Sequence, residues 1–371
     1  MSLPVIERLL IVSDAAATQV SGVVRAISHS VVQLEKMGIA VELLTPAQFK
    51  TLPFPLYPEM RLSLTTSKRV EIIIKEFNPD AMHIATQGPL GWAARKAALK
   101  NGWQFTTTYH THFAEFMHAR LGIPTSLIYK IFRKFHSASS GVLAPTPTIK
   151  RNLLKNGFSN VVQWAQGVDH STFYPRPIQK SIHAHEPVFL YVGRLAIEKN
   201  IEAFLKLDLP GQKWVAGEGP LALKLLHNYP SVRYLGVLTQ DALAELYSQA
   251  DVFVFPSVTD TFGLAMLEAL ACGLPVAAFP VAGPLSVIGE SSAGVLDENL
   301  HRACIKALRL SRSSAVDQAK LFSWETATQR MIDSLVWLKN PSPDEIFNQA
   351  SKRLDTISVK SVCSPDIVGS R

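Results

Sequence analysis

The sequence has 371 residues, of which 47% are hydrophobic and 18% are charged, and its formal net charge is +7. This composition excludes a disordered chain, and the length predicts two domains, each able to bury a core without disulfide or metal support. The positive charge favours anionic partners such as nucleotides, anionic lipid head groups or nucleic acid, without choosing among them.

The three cysteines, Cys272, Cys304 and Cys363, have no CxxC or metal-ligand spacing. Their odd number argues against a disulfide framework and predicts a reducing, cytoplasmic location. The first residues lack the pattern of a signal peptide. Glu268 and Pro275 interrupt the longest apolar stretch, so we expect no membrane span, although the protein could still lie on a membrane.

The first 150 residues alternate short apolar runs with segments of helical spacing. The runs that predict strands are Leu9–Ser13, Val41–Leu44, Ala81–Ile84, Phe105–Tyr109 and Gly141–Ala144. The segments that predict helices are Gly22–Leu34, Lys68–Phe77 and Gly91–Lys100. Short buried strands that alternate with helices predict a doubly wound parallel sheet of the α/β class.

The same alternation starts again after a polar stretch with two prolines, Asp169–His185, which we interpret as the domain linker. The second set of predicted strands is Val188–Val192, Lys213–Ala216, Val232–Leu235, Val252–Phe255 and Val276–Phe279, with a helix at Ile201–Leu207. We predict domains over residues 1–170 and 171–325, a closing helix over 326–340 that returns toward the first domain, and a tail over 341–371. Two such sheets face each other across a cleft, where ligands of open parallel sheets bind.

The stretch Phe253–Pro275, FVFPSVTDTFGLAMLEALACGLP, carries two carboxylates eight residues apart. Asp260 precedes a predicted helix and Glu268 lies inside it, up to about 12 Å away along the axis, a separation that suits the two ends of an extended ligand. The free N–H groups at the helix start, which would point at an anion, belong to Phe262, Gly263 and Leu264. Alternatively, Asp260 is an N-cap residue and Glu268 a solvated helix position.

A basic motif follows the predicted strand Val188–Val192. Arg194 and Lys199, in YVGRLAIEKN, place two cations five residues apart at the end of the strand, directly after Gly193. A planar guanidinium and an ammonium point charge suit a diphosphate, although an ordinary basic surface loop is an alternative. Further along, Gly217 begins the turn GEGP, which is no GxGxxG dinucleotide fingerprint.

Two histidines and one glycine follow predicted strands of the first domain. His110 and His112, in FTTTYHTHFAE, point the same way if the strand alternation continues, but no third ligand has a recognisable metal spacing. Gly22, in QVSGVV, begins a helix and would let a ligand approach the backbone amides closely. The alternatives are a helix start that merely packs closely at Gly22 and a packed loop residue at His112.

Together these motifs resemble the retaining GT-B glycosyltransferases of family 4. The resemblance covers roughly residues 5–340 and rests on PSVTDTFGLAMLEALACGLPV, GRLAIEKN, YHTH, QVSGVV, GEGP, QGVDHSTFYP, QGPLG and FSWE. The family more often has Glu where Asp260 stands and Asn where Ser21 stands, and the stretch Ala15–Ala17 also departs from its pattern. The resemblance implies two Rossmann-like domains, with the acceptor on the side of residues 1–170 and the nucleotide sugar in residues 171–325.

The resemblance also implies roles for single residues. Asp260 and the amides after it would hold the sugar of the donor, Glu268 its ribose, and His110 would face the sugar. The implied catalytic set is His110, Arg194, Lys199 and Asp260. The implied donor-binding set is Gly22, Gly193, Arg194, Lys199, Gly217, Asp260, Phe262, Gly263, Leu264 and Glu268. His112 would lie on the acceptor side.

The implied reaction moves a hexose from a nucleotide diphosphate sugar to an acceptor hydroxyl with retained configuration. The sequence has no Asp-x-Asp motif, so we expect Arg194, Lys199 and the helix-start amides to neutralise the diphosphate without a metal or other cofactor. The combination of TDTFGL, YHTH and GPLGWAAR resembles GDP-mannose-dependent α-mannosyltransferases first, which ranks mannose first. It also resembles sulfolipid-forming and diacylglycerol-glycosylating relatives that use UDP-sugars.

The expected acceptor is a lipid or a glycan. Cations and aromatics cluster in the first domain and predict a face that binds the inner surface of an anionic membrane. The alternative is a solvated basic face. The residues are Trp92, Arg95, Lys96, Lys100, Trp103, Arg120, Lys130, Arg133 and Lys134. We expect no nucleic-acid partner, because no helix-turn-helix, zinc module or stacking platform is recognisable. The remaining alternatives are a catalytically degraded protein that only binds nucleotide sugars and a GT-B phosphorylase or synthase that acts on a soluble sugar.

Overall fold

The structure is a computed structural model that describes residues 6–15, 22–54, 57–110, 117, 122–177 and 186–339. His112, Arg120, Ser21 and the predicted tail over 341–371 lie outside the described residues, as does the end of the predicted linker.

The first half of the chain forms a six-stranded parallel sheet and a hairpin. Its strands are β1 Arg8–Val12, β2 Ala40–Leu44, β3 Thr51–Phe54, β4 Tyr57–Ser63, β5 Ala81–Ile84, β6 Thr106–Thr108, β7 Gly141–Ala144 and β8 Val161–Gln163. Its helices are α1 Gly22–Lys36, α2 Ser67–Phe77, α3 Pro89–Asn101, α4 Thr125–His136 and α5 Pro147–Lys155. The sheet order is β2-β1-β5-β6-β7-β8, and β3 pairs with β4 as a separate antiparallel ribbon.

The second half forms another parallel six-stranded sheet. Its strands are β9 Val188–Val192, β10 Gln212–Ala216, β11 Arg233–Tyr234, β12 Val252–Phe255, β13 Val276–Ala278 and β14 Gly294–Leu296. Its helices are α6 Ile201–Leu205, α7 Ala222–Asn228, α8 Gln240–Gln249, α9 Leu264–Ala271, α10 Ala282–Val287, α11 Leu300–Ala307 and α12 Arg312–Ala319, followed by α13 Trp324–Ser334.

The strand orders determine where each sheet can bind a ligand. In the second sheet, β11-β10-β9-β12-β13-β14, the order reverses between β9 and β12. In the first sheet it reverses between β1 and β5. Ligands of open α/β sheets bind outside the carboxyl ends of the strands at such reversals. A ligand is therefore expected at the loops after β1, β5, β9 and β12.

The central strands of both sheets are buried on both faces. All five residues of β9 are buried, with Leu190 packed in the core on one face and Phe189 in the core on the other, and β12 repeats this with Phe253 and Val254. Burying a large apolar side chain contributes roughly 1.5–3 kcal/mol. Because both faces of β9 and β12 are packed, the loops that follow these strands start from fixed positions.

The chain passes from the first sheet to the second after β8 and returns before α13. These two segments contact each other. A β-bridge joins Val168, after β8, to Ser323, before α13. A Cβ on Gly167 would lie 2.2 Å from the backbone nitrogen of Trp324, so only glycine fits this crossing. The helix α13 starts two residues before the predicted closing helix and packs on the first sheet's side, where the Trp164 indole donates to the Ala327 carbonyl (2.9 Å).

Candidate functional site

The loops after β9 and β12 form one structure at the reversal of the second sheet. The Lys199 ammonium contacts Asp260 Oδ1 at 2.5 Å. The Asn200 amide donates to the Pro256 carbonyl (3.0 Å), and the Thr259 hydroxyl donates to the Glu198 carbonyl (3.0 Å). The basic motif and the acidic motif, some sixty residues apart in sequence (Lys199 and Asp260 differ by 61 positions), thus meet at the predicted ligand position.

Neither carboxylate occupies the position that the sequence left open as an alternative. The residue that caps α9 is Gly263, without a side-chain cap bond, so the interpretation of Asp260 as an N-cap is wrong. Glu268 is 6% exposed, so it is no solvated helix position either. Its Oε1 accepts a bond from Arg25 of α1 (2.7 Å), and its Oε2 accepts one from the Tyr247 hydroxyl (3.1 Å).

Glycines let the loops after β9 and β10 touch. A Cβ on Gly217 would lie 2.0 Å from the carbonyl oxygen of Gly193, and the φ of Gly217 is 128°, a region that disfavours other residues. Gly217 therefore supports the loop that carries Arg194. The Tyr191 hydroxyl donates to the Arg194 carbonyl (2.9 Å), and burial raises the pKa of Tyr191 well above its ordinary value, so this donor keeps its proton.

Glycine is also required where α9 begins. Gly263 has a φ of 96°, and a Cβ there would lie 2.9 Å from the Phe255 ring. This left-handed residue turns the chain from the buried Phe262 into the helix, with Leu264 as its first residue. The helix start with its backbone amides thus follows Asp260 directly, at the carboxyl end of β12.

Gly22 has no close neighbour among the described residues. It is the exposed first residue of α1, and no atom of the described residues lies within 4 Å of a Cβ built on it. Close packing of this helix start is therefore not found among the described residues.

His110 lies between the two sheets. Its carbonyl accepts a bond from the Thr261 hydroxyl of the β12 loop (2.6 Å), while its ring stands edge-on to Trp164 with 6.0 Å between centroids. The side chain is buried, and its Nε2 has no hydrogen-bond partner among the described residues. Burial lowers the pKa of His110 to about 4, so the ring is neutral at pH 7. A neutral imidazole can still accept from, or donate to, a hydroxyl.

The cavity beside His110 is small. It has a volume of about 10 Å³, is lined in part by Ser30, His83 and Thr108, and has room for at most one water. A sugar therefore does not fit in this cavity.

The structure changes the predicted membrane face. Trp103 is 6% exposed, and Trp92 is partly buried with its ring edge-on to Phe135, so these aromatics belong to the core and not to a surface. Arg95 donates to the carbonyls of Lys134 and Phe135, and Lys100 pairs with Glu71.

Arg25 is the functional candidate that sequence reasoning missed. Its partner Glu268 is 243 positions away, and no local pattern links a helix residue to a distant carboxylate. The one available signal was its position one turn after Gly22, in the same motif QVSGVVR.

Other site chemistries find no support in the part of the chain that the structure describes. No three His, Cys, Asp or Glu side chains there form a group that could hold a metal ion. Burial raises the pKa of the Cys272 and Cys304 thiols to about 12, so neither is a ready nucleophile. None of the described helices is both long and apolar enough to cross a bilayer.

Comparison with known families gives two matches that together span most of the chain. The model of Glycosyltransferase Family 4 matches residues 20–172, and the model of Glycosyl transferases group 1 matches residues 186–310. The first match contains Gly22 and His110, and the second contains Arg194, Lys199 and both motif carboxylates.

Individual relatives agree with the family models. A sulfoquinovosyl transferase of Arabidopsis thaliana is 27% identical over 366 residues, which cover 87% of this chain and 72% of the relative. A GDP-mannose-dependent alpha-mannosyltransferase of Mycolicibacterium smegmatis is 27% identical over 317 residues, which cover 78% and 84%. Among solved structures, a sucrose-phosphate synthase from Thermosynechococcus elongatus shares the fold with a TM-score of 0.70 and 20% identity, over 95% of this chain and 100% of that one.

Proposed function

Because the chain belongs to the family 4 glycosyltransferases with the GT-B fold, enzymes that use nucleotide sugars, we propose that it moves a hexose to a hydroxyl of a lipid or glycan with retained configuration. The observation that carries this proposal is the contact between Lys199 and Asp260. The cation that we propose for the diphosphate and the carboxylate that we propose for the sugar thus lie together at the reversal of the second sheet, where a ligand is expected.

In the proposed complex, each member of this ion pair exchanges its partner. Lys199 turns with Arg194 to the diphosphate, and Asp260 accepts a bond from a hydroxyl of the sugar, while Glu268 accepts from the ribose. The bond between the anomeric carbon and the diphosphate oxygen breaks as the acceptor oxygen attacks from the same face. The acceptor proton goes to the leaving phosphate. The two cations stabilise the negative charge that develops on the leaving group, which is the main catalytic effect and needs no metal.

The proposed donor is GDP-mannose, supported by the mannosyltransferase relative. The second candidate is a UDP-sugar that delivers glucose or sulfoquinovose to a diacylglycerol, supported by the sulfoquinovosyl transferase relative. A thermal-shift panel with GDP, UDP, ADP and their hexose conjugates separates the two. A ligand at 100 times its Kd stabilises the native state by about 2.7 kcal/mol, which is readily measured.

A shift with guanine nucleotides alone supports mannosyl transfer, and a shift with uracil nucleotides alone supports the second candidate. No shift with any nucleotide contradicts the transferase proposal. Once the donor is known, the one-bond C1–H1 coupling of the product reports its anomeric configuration, and an inverted product contradicts retention. Activity that survives dialysis against EDTA supports catalysis without a metal, and activity that returns only with a divalent cation contradicts it.

Replacing Gly22 with alanine should weaken donor binding about tenfold and leave the fold intact. Nothing among the described residues obstructs the new methyl group, so the helix start should gain roughly 0.4–1 kcal/mol. The methyl group would, however, fill the space that a phosphate needs beside the amide. Isothermal titration with the nucleotide and thermal melting measure the two effects. The exposed Ser28→Ala on the same helix is the control, and unchanged affinity in G22A would exclude a ligand at this position.

We propose further that α4 binds an anionic membrane. Leu127 and Ile131 are 51% and 48% exposed, and Lys130 and Lys134 are exposed beside them at helical spacing. An apolar stripe flanked by lysines is the pattern of a helix that lies in the plane of the interface. This arrangement supports an enzyme that meets a lipid acceptor at the membrane surface.

The double variant K130Q/K134Q should bind vesicles with anionic phosphatidylglycerol about thirtyfold more weakly. Each lysine near an anionic surface contributes about 1 kcal/mol, and two such losses correspond to that factor. Cosedimentation with vesicles measures the partition coefficient. The exposed lysines of the second half, in K206Q/K224Q, are the matched control. Equal binding of both variants would show that α4 is only a solvated basic face.

A further inference from the structure

Arg25 joins the two halves of the molecule at the proposed donor site. It lies on α1, one helical turn after Gly22, and its Nη1 donates to Oε1 of Glu268 on α9 (2.7 Å). Glu268 is almost fully enclosed, with 7% of its side chain exposed, and Arg25 keeps 28%. A carboxylate enclosed to this degree needs a partner, because an unpaired buried charge is strongly destabilising.

Glu268 can keep both protein partners and still bind a ribose. A carboxylate has about four positions that accept hydrogen bonds, two on each oxygen. Arg25 occupies one on Oε1, and the Tyr247 hydroxyl occupies one on Oε2. Nothing else among the described residues bonds to these oxygens, so one position on each is left for the two neighbouring hydroxyl groups of a ribose.

Arg25 belongs to the face of α1 that contacts the second half of the chain. Ala26 forms a small buried cluster with Trp324 and Ala327, and Leu264 at the start of α9 packs against it. His29, one turn after Arg25, stacks on Trp324 with 5.1 Å between centroids. The ion pair is therefore the charged part of a surface on which α1, α9 and α13 meet.

We propose that Arg25 is a positioning residue that links donor binding to closure of the two domains. From α1 it holds Glu268 of the other domain in the orientation that the ribose requires, and the bound ribose in turn stabilises the closed arrangement. This inference rests on the proposed ribose-binding role of Glu268. Linkage is reciprocal, so the free energy by which closure strengthens donor binding equals the free energy by which the bound donor stabilises the closed arrangement.

The test compares variants that remove one partner of Glu268 at a time. R25Q removes the partner from the other domain, Y247F removes the partner from the same domain, and R25K keeps the charge. K36Q, an exposed cation at the end of α1, is the control. Titration gives the affinity for the nucleoside diphosphate that stabilises the wild type, and small-angle scattering gives the radius of gyration with and without it.

We expect R25Q to bind the nucleotide about tenfold more weakly and to lose the compaction that the nucleotide causes in the wild type. R25K should be intermediate in both measurements. Y247F should weaken binding but still become compact, because the bond between Tyr247 and Glu268 lies within one domain. K36Q should behave as the wild type. Wild-type affinity and compaction in R25Q would overturn the inference while the proposed function stands, whereas a wild type that binds no nucleoside diphosphate would overturn the proposed function.

A double-mutant cycle with E268Q keeps the test decisive. If Arg25 acts through Glu268, R25Q should have little further effect on affinity once E268Q is present. Additive effects of the two substitutions would overturn the inference. If R25Q fails to fold, the same cycle with R25K gives the answer by the same criterion.

Discussion

Replacing Lys199 with alanine should lower kcat by about 100-fold to 1000-fold and leave the stability nearly unchanged. Loss of one preorganised charge that stabilises the transition state typically has this effect on turnover. The Lys199 and Asp260 side chains are 28% and 21% exposed, so solvent screens the pair in part and we expect it to contribute only about 1 kcal/mol to folding. Steady-state kinetics with the identified donor and chemical denaturation measure the two quantities.

Lys206 provides the control for this variant. It lies in the same half of the chain and pairs with Glu202, so K206A removes a comparable lysine whose carboxylate partner is not part of the proposed site. K206A should keep the turnover of the wild type. If K199A also keeps it, Lys199 does not serve the leaving group. If the wild type binds a donor but transfers nothing to any acceptor, the protein is a degraded transferase.

Lowering the pH from 8 to 5 should cost the native state about 6 kcal/mol. Burial lowers the pKa of His83 and His136 to about 3 and that of His110 to about 4, from an ordinary value of 6.5. Below pH 6.5 these three histidines therefore bind protons in the unfolded chain but stay neutral in the native state. Each histidine then costs about 2 kcal/mol at pH 5, and the three together approach the whole stability of many domains.

Burial keeps the rings of His83 and His136 neutral, and their hydrogen-bond partners are uncharged groups. The two ring nitrogens of His83 contact the hydroxyls of Thr106 and Thr108 (2.9 and 2.8 Å), on one face of β6. On the other face, Nδ1 of His136 contacts Thr107 (2.8 Å), and its Nε2 lies 3.0 Å from the amide nitrogen of Gln87. In this arrangement the amide donates and Nε2 accepts.

Urea unfolding at several pH values between 5 and 8 measures this effect. The free energy of unfolding should fall with decreasing pH below 6.5, with a slope that approaches 1.4 kcal/mol per pH unit for each buried histidine, about 4 for three. Glu71 and Asp297 lose stabilising ion pairs only at lower pH. Bonds to basic side chains lower the pKa of each carboxyl group to about 2, so their effect lies below this window. H83Q should reduce the slope by about one histidine, and the exposed H301Q should not change it. A slope below that of one histidine would contradict the argument.

The sequence predicted the central strands well because their residues are apolar on both faces. Ala81–Ile84, Gly141–Ala144, Val188–Val192 and Val252–Phe255 have the predicted bounds. The hairpin of β3 and β4 was missed, because its prolines are typical of a loop. The helix α4 was missed although its buried residues, Ile128, Phe132 and Phe135, follow helical spacing.

The candidate site was predictable as motifs but not as contacts. Lys199 and Asp260 were each singled out, yet only the strand order of the second sheet brings their loops together. Arg25 could not be paired with Glu268, because that contact depends on how α1 and α9 meet between domains. Gly22 and Gly217 looked alike in sequence, whereas a Cβ on Gly22 would meet no atom of the described residues and a Cβ on Gly217 would meet a backbone carbonyl.

The bridge between Val168 and Ser323 limits how the two halves can move. Among the described residues, the backbone passes between the two halves only at these two neighbouring segments. The two segments are in direct contact at Gly167. Two adjacent crossings permit rotation about one axis that passes through them, while sliding or twisting would break the bridge. The two sheets would then separate most on the side away from this axis, so a ligand of the proposed site would enter from that side.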